Sequence, residues 1–509
     1  MRTKYSVINA ITAVVFQLLN MVIVFFSRRI FLAELGAEML GINSLFTQIL
    51  SMLSLVELGI GSAIVFSLYR PLAEKDEQQI AAIMMVYRKA YTLIGGVIFM
   101  LGMLLTPFIP RLISEDVSDI KNLYLIFMLY VGNTSLTYFS AYKQNLLIAD
   151  QKRYITTIYH GILFLLTNVF QILILILRQD FVRYLVIQII FTVLENVLLS
   201  WKTKREYPYV AAYAGTKVYP ETLHKMKQNT VALLAHKIGT VVVNSTDALI
   251  ISMCIGIITV GKYTNYVYVV NAFLTLASQL FGAVTASVGN VNVSCPEKTE
   301  EIFDNCYYFN YALMAVVSIC CLGVFNDFIG LIYGKEMLLD RQCVFLLVLR
   351  FYIQGMRSVV LTFKEAAGLY VKDWYKPLLE ALVNLFVSVI LAWHLGLAGV
   401  IIGTIACMIL PDLLIEPYVV YRYIFHKKTV VYYRKYFFFL LSLMVMFPFL
   451  ELGSRLEVLS FGGLLLKGLV FAGVSVVYVL LIGWIACRKE LAFFGRLAKG
   501  VVTWRIKRD

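Results

Sequence analysis

Fourteen apolar runs of about twenty residues dominate this chain of 509 residues, and each can cross a hydrocarbon layer about 30 Å thick as a helix. They are Val7–Ser27, Leu40–Leu68, Tyr91–Ile113, Leu123–Tyr142, Ile155–Leu177, Tyr184–Ser200, Thr230–Ile257, Tyr263–Asn290, Phe309–Ile332, Val344–Phe363, Leu378–Leu395, Val400–Tyr421, Tyr436–Leu450 and Leu464–Ala486. Inside a bilayer every backbone N–H and C=O must find a partner within the protein, which leaves only helices and closed barrels. A barrel strand alternates apolar and polar residues, and no such alternation is present. The composition agrees: 60% of residues are apolar and 15% charged, against about a quarter charged in soluble domains. The fold class is therefore an all-α integral membrane protein.

A net charge of +14 would suit a nucleic-acid binder. The placement of the charge excludes that partner. Lys and Arg concentrate in alternate loops and in both tails, the pattern of loops retained on the cytoplasmic side. This puts both termini in the cytoplasm and makes the chain a multi-pass protein of the cytoplasmic membrane. The start, "MRTKYSVINAITAVVFQLLN", has a basic head, but its apolar run is span-length and no small-residue cleavage site follows, so it reads as a retained first helix.

The chain repeats itself. "LAEKDEQQI" follows the second run and "CPEKTEEI" the eighth, and an offset of 221 maps Lys143 to Lys364, Tyr154 to Tyr375 and Glu195 to Glu416. Six spans followed by six similar spans imply two lobes in the same orientation, related by a pseudo-twofold axis along the membrane normal. The expected division is an N-lobe over 1–205, a basic cytoplasmic linker over 206–229, a C-lobe over 230–430, and two further helices with a basic tail over 431–509. Paired lobes of this kind suggest alternating access.

Ionisable residues inside the spans are the functional candidates, because a charge at the bilayer centre costs about 2.5–3.5 kcal/mol even on a lenient scale. Asp247 lies ten residues beyond Lys237 on one run, about 15 Å deeper. Glu57 is likewise mid-membrane. Arg350, Gln354 and Arg357 follow i, i+4, i+7 and share a helix face. Arg28 and Arg29 close the outer end of the first span. Arginine forks match phosphate oxygens, so Arg28, Arg29, Lys237, Arg350, Arg357 and Gln354 form a candidate cationic substrate site. Glu57 and Asp247 are candidates for coupling an ion. The structural alternative is that Arg350 or Arg357 pairs with Asp412 or Glu416 and locks helices together, while Lys237 reaches the inner headgroups.

No catalytic residue, metal site or cofactor is expected. H-E-x-x-H, phosphate-loop and G-x-S-x-G patterns are missing, the eight cysteines contain no C-x-x-C pair, and the loops are too short to house an enzyme domain.

"RRIFLAELGAEMLGINSLFTQILSMLSLVELGIGSAIVFSLYRPLAEKDEQQI" (Arg28–Ile80), "YRKAYTLIGG" and "HKIGTVVVNSTDALIIS" resemble the Wzx-type polysaccharide repeat-unit flippases of the MOP superfamily. The resemblance implies a MATE-like fold of two six-helix lobes plus two helices, a bacterial host and a cationic lumen. It also implies a cargo, undecaprenyl-diphosphate-linked oligosaccharide, moved from the inner to the outer leaflet for capsule, O-antigen or exopolysaccharide. Its partners would be a polysaccharide polymerase and glycosyltransferases. The rival readings are a MATE-type drug antiporter, with an acidic lumen for cations, a peptidoglycan-precursor flippase, a membrane glycosyltransferase or polymerase, and a non-transporting scaffold.

Overall fold

A computed structural model describes the chain except for Met1 and residues 58–59, 115–119, 214, 217, 221–244, 447–457, 459 and 497–509. The described residues form helices and connecting turns with no strand among them. Among the described residues, eight helical stretches are long and apolar enough to cross a membrane. The chain divides into two compact units, Met1–Gly261 and Lys262–Asp509.

Unit 1 opens with α1 (Arg2–Leu53), then α2 (Ile60–Glu74), α3 (Glu77–Leu105), α4 (Leu123–Ala149), α5 (Arg153–Arg178), α6 (Phe181–Glu206), the short α7 (Tyr209–Ala212) and α8 (Ser245–Cys254). The first run is two helices end to end. Gly36, at φ +85°, turns the chain between them, a conformation that side-chain-bearing residues rarely adopt. Asp76 and Asp180 cap α3 and α6 by accepting backbone N–H bonds from Gln79 and Arg183 at 3.0 and 3.1 Å.

α3 starts well before the apolar run at Tyr91. Its first turns bury Ile80, Ile83, Met84 and Tyr87 against Leu68, Leu146, Leu147, Leu199 and Tyr207. An amphipathic helix end thus reaches beyond the apolar layer and ties α2, α4 and α6 together at the end of the unit rich in Lys and Arg. The expected second span, Leu40–Leu68, is not one helix. It breaks at a tight 3-10 turn, Ser54–Glu57, before α2 resumes. A hydropathy window averages across such a break, because the turn residues Leu55 and Val56 are as apolar as their neighbours.

Unit 2 takes most of α9 (Ile257–Ser294), then α10 (Thr299–Tyr333), α11 (Arg341–Ala366), α12 (Lys376–Cys407), α13 (Leu413–Val420), α14 (Val430–Val445) and α15 (Phe461–Ala486). Gly396, at φ +56°, divides α12 into two legs, matching the expected gap between the spans ending at Leu395 and starting at Val400. The offset of 221 carries the start of α4, Leu123, to Val344 in the first turns of α11. α14 and α15 pack on α10: Tyr311 stacks on Phe439 of α14 at 4.0 Å, and Lys467 of α15 pairs with Asp327 at 2.7 Å. Of the expected spans, Thr230–Ile257 lies largely outside the described residues.

Candidate functional site

The densest charged site is in unit 2. Arg350, Arg357 and Lys364 recur every seven residues on α11, which stacks them on one face two turns apart. Beyond α11 the chain makes a 3-10 turn, Leu369–Asp373, and enters α12 with Lys376 and Glu380 one turn apart. A π-helical turn, Met408–Asp412, contains Pro411 and leads into α13 with Glu416. The wider turn sets Asp412 one turn before Glu416, so both carboxylates project together.

Those elements converge on one network. The Arg357 guanidinium donates to Glu416 through Nε at 3.0 Å and Nη2 at 2.9 Å, and Nη1 lies 2.5 Å from Asp412 Oδ2. Lys376 donates to Asp412 at 2.7 Å and to Glu416 at 2.6 Å. Lys364 donates to Asp373 at 2.6 Å and stands 3.7 Å from Glu416. Glu380 is 3.5 Å from Lys376 and 3.9 Å from Arg357. Asp373, Asp412 and Glu416 have no exposed surface. Three cations therefore face four carboxylates in a region shielded from water. Such a cluster is stable only while each charge keeps its partners, since an unpaired buried ion costs several kcal/mol. One proton would neutralise the excess carboxylate, so the cluster is chemically able to hold and release one.

This geometry bears on the expected substrate site. Arg357 is not free to meet a phosphate: its fork is occupied by Glu416 and Asp412, as the structural alternative anticipated. Arg350 is buried at 6% exposure and donates to Tyr263 of α9 at 2.5 Å. Gln354 is half-buried between them. Arg350 and Arg357 are thus about 10 Å apart along α11 and serve different neighbours. The partners Lys364, Lys376, Asp373 and Glu380 were missed as site residues. Lys364 and Lys376 lie between the expected spans Val344–Phe363 and Leu378–Leu395, yet they are 4% and 5% exposed. Only the 12-residue spacing of two lysines around Asp373 hinted at a paired cluster.

In unit 1, Glu57 ends the 3-10 turn that interrupts the second span. Its Oε1 accepts from Tyr91 at 2.9 Å, and Tyr91 in turn accepts from Asn145 at 3.3 Å. A β-carbon on Gly61 would stand 3.0 Å from Tyr91 Oη and 3.4 Å from Glu57 Oε1, so the missing side chain makes room for the relay. No Lys or Arg pairs with Glu57 among the described residues. Asp247 is buried on α8, whose Ser252 donates to Leu112 at 2.6 Å. Arg28 is half-buried beside Tyr130 and Tyr184, while Arg29 is exposed. Lys237 lies outside the described residues. The structure does not join Glu57, Arg28 and Arg29 into one cluster.

At the basic end of unit 1, Lys152 bridges Asp150 at 2.7 Å and Glu206 at 2.5 Å, and Tyr207 donates to Asp150 at 2.7 Å. Burial disfavours the charge on Lys152, but its bonds to Asp150 and Glu206 prevail and raise its pKa above the ordinary 10.5.

No protein-family model matches this sequence, and no curated protein matches it. Solved structures do match in fold. A multidrug resistance MATE family transporter of the MOP superfamily, in its inward-facing conformation, aligns with TM-score 0.65 at 12% identity over 81% of this chain and 98% of that one. Lipid II flippase MurJ in an inward closed conformation aligns with TM-score 0.61 at 15% identity over 94% of this chain and 100% of that one. The outward-facing form of a MATE transporter aligns with TM-score 0.55 over 83% of this chain. The chain is an all-α membrane protein with the fold shared by MATE transporters and MurJ.

Proposed function

We propose that this protein is a flippase for lipid-linked oligosaccharide, moving undecaprenyl-diphosphate-linked repeat units from the inner to the outer leaflet of a bacterial cytoplasmic membrane. The observation that carries the reading is coverage. The MurJ fold accounts for 94% of this chain, whereas the MATE folds account for 81% and 83%. A chain that aligns over all of lipid II flippase MurJ suits a similar cargo. The Wzx-type sequence resemblance over Arg28–Ile80 points the same way, towards capsule, O-antigen or exopolysaccharide synthesis alongside a polymerase and glycosyltransferases. In this reading both termini are cytoplasmic, and the cargo is moved without chemistry on it. Arg28, Arg29, Arg350 and Lys237 attract the diphosphate, Gln354 adds a polar contact, and Glu57 and Asp247 couple an ion. Arg357 acts through its carboxylate network, as a device that changes partners when the lobes alternate.

The test is reconstitution in vesicles with a fluorescent polyprenyl-diphosphate oligosaccharide whose outer-leaflet fraction is read by a membrane-impermeant quencher. Protein-dependent flipping that falls in R28Q/R29Q supports the reading. Export of a cationic dye with no flipping of the lipid would transfer the assignment to the MATE-type alternative. The high fold similarity to a multidrug MATE transporter keeps that alternative specific.

A further inference from the structure

A second cationic site lies in unit 1. A cavity of about 570 Å³ opens between α3, α4, α6 and α7, with Arg88, Lys143 and Lys204 in its wall together with Ser200, Trp201 and Tyr142. That volume is ordinary for a small-ligand pocket. Lys143 donates to Ser200 at 2.8 Å. Among the described residues no carboxylate pairs with Arg88, Lys143 or Lys204. Asp150, just past α4, and Glu206, at the end of α6, are taken up by Lys152 and Lys202. Burial, with Arg88 and Lys204 nearby, pushes the Lys143 amine below its usual range, as expected where like charges share a pocket without a counter-ion.

The pocket continues into a groove of about 640 Å³ along the outer face of α3, sharing Met85 and Arg88 with it. It is a shallow strip lined by α3 alone, polar at Lys89 and Thr92 and apolar from Leu93 through Val97 to Met100; Leu93 and Met100 are 69% and 61% exposed, as lipid-facing side chains are. Trp201 sits at the mouth, where an indole with one wet and one apolar side is favoured.

We infer that the pocket walled by Arg88, Lys143 and Lys204 binds the phosphate of a resident anionic glycerophospholipid, whose acyl chains lie along the Leu93–Met100 groove of α3. Three cations around one phosphate leave no place for the ammonium of a zwitterionic lipid. An anionic headgroup satisfies them, as basic pockets between membrane helices do elsewhere. The chain-length groove beside the pocket separates a lipid from a free anion. The site does not depend on the cargo proposed above.

Native mass spectrometry of the full chain, purified and offered phosphatidylglycerol or phosphatidylcholine, reads the preference. Wild type is expected to retain phosphatidylglycerol about tenfold over phosphatidylcholine, and R88Q/K204Q to bind the two alike. R153Q/K428Q removes the same charge from exposed positions outside the pocket and should keep the preference. Equal retention of both lipids by wild type overturns the inference, as does equal loss in R153Q/K428Q. Displacement by millimolar inorganic phosphate would make it a free-anion site. Displacement by equimolar polyprenyl diphosphate would make it a cargo site. Either outcome overturns the lipid assignment. Should R88Q/K204Q not fold, quenching of Trp201 emission by bromine-labelled phosphatidylglycerol gives a second reading. Quenching undiminished in W201F would place the lipid elsewhere.

Discussion

Removing the Arg357 fork perturbs the best-defined charged cluster in the protein. R357Q leaves two cations, Lys364 and Lys376, against Asp373, Glu380, Asp412 and Glu416. Three N–H-to-carboxylate contacts, at 2.5, 2.9 and 3.0 Å, disappear. Taking one partner from a buried pair costs about 3–5 kcal/mol. Lys376 still holds one oxygen of Asp412 and one of Glu416, so the loss belongs near the lower end, about 3 kcal/mol. For a unit of this size that lowers the melting temperature by roughly 6–12 °C. E416Q costs less, about 1–2 kcal/mol, because it removes the surplus negative charge while losing one fork partner. The double variant R357Q/E416Q should then be more stable than the sum of the two losses allows, with a coupling of about 2 kcal/mol. Thermal and denaturant unfolding of the purified protein in one detergent gives all four corners of the cycle. R357Q as stable as wild type, or a coupling within about 0.5 kcal/mol of zero, would refute the pairing of Arg357 with Glu416.

Three more outcomes are expected. Y91F takes one of two tyrosine donors, Tyr91 and Tyr138, from Glu57 and leaves Asn145 without its acceptor, for a loss of about 1–3 kcal/mol in unfolding; E57Q keeps an acceptor for Tyr91 and should cost less than Y91F. G41A places a β-carbon 2.0 Å from the Ile257 carbonyl oxygen, which backbone cannot evade without moving a helix, so expression of folded protein or its melting point should fall by an amount equivalent to about 1–3 kcal/mol. K152M probes the clasp at the basic end of unit 1. The folded pKa of Lys152 is raised above 10.5, so its contribution is complete below pH 10.5 and is lost as pH climbs through the higher folded value. The melting difference between wild type and K152M should be flat at neutral pH and shrink above 10.5; a difference that grows there contradicts the assigned cause.

Much of the architecture is legible along the chain because membrane burial acts locally. Twenty apolar residues in a row have few alternatives to a spanning helix, and Gly396 between two such runs reads as the break it is. The break at Ser54–Glu57 is harder to read. Its residues are apolar except for Glu57, and hydropathy carries no record of a turn. The start of α3 at Glu77 is obscured for the opposite reason: polar residues such as Gln79 interleave with the buried Ile80 and Ile83, and the helix outlasts the apolar layer.

What the sequence determined by itself was the helical class, the long apolar runs and the gap between Leu395 and Val400. All of these depend on near neighbours or on a solvent boundary common to the whole chain. Tertiary structure decided which charges meet. Arg357 and Glu416 are 59 residues apart, and Lys376 reaches Asp412 only because a 3-10 turn returns the chain to α11 and a π-helical turn swings the carboxylates inward. Arg88, Lys143 and Lys204 share a pocket because three separate helices end side by side. Coulomb interaction depends on distance in space, and that distance follows from how helices pack, which no periodicity in the sequence records.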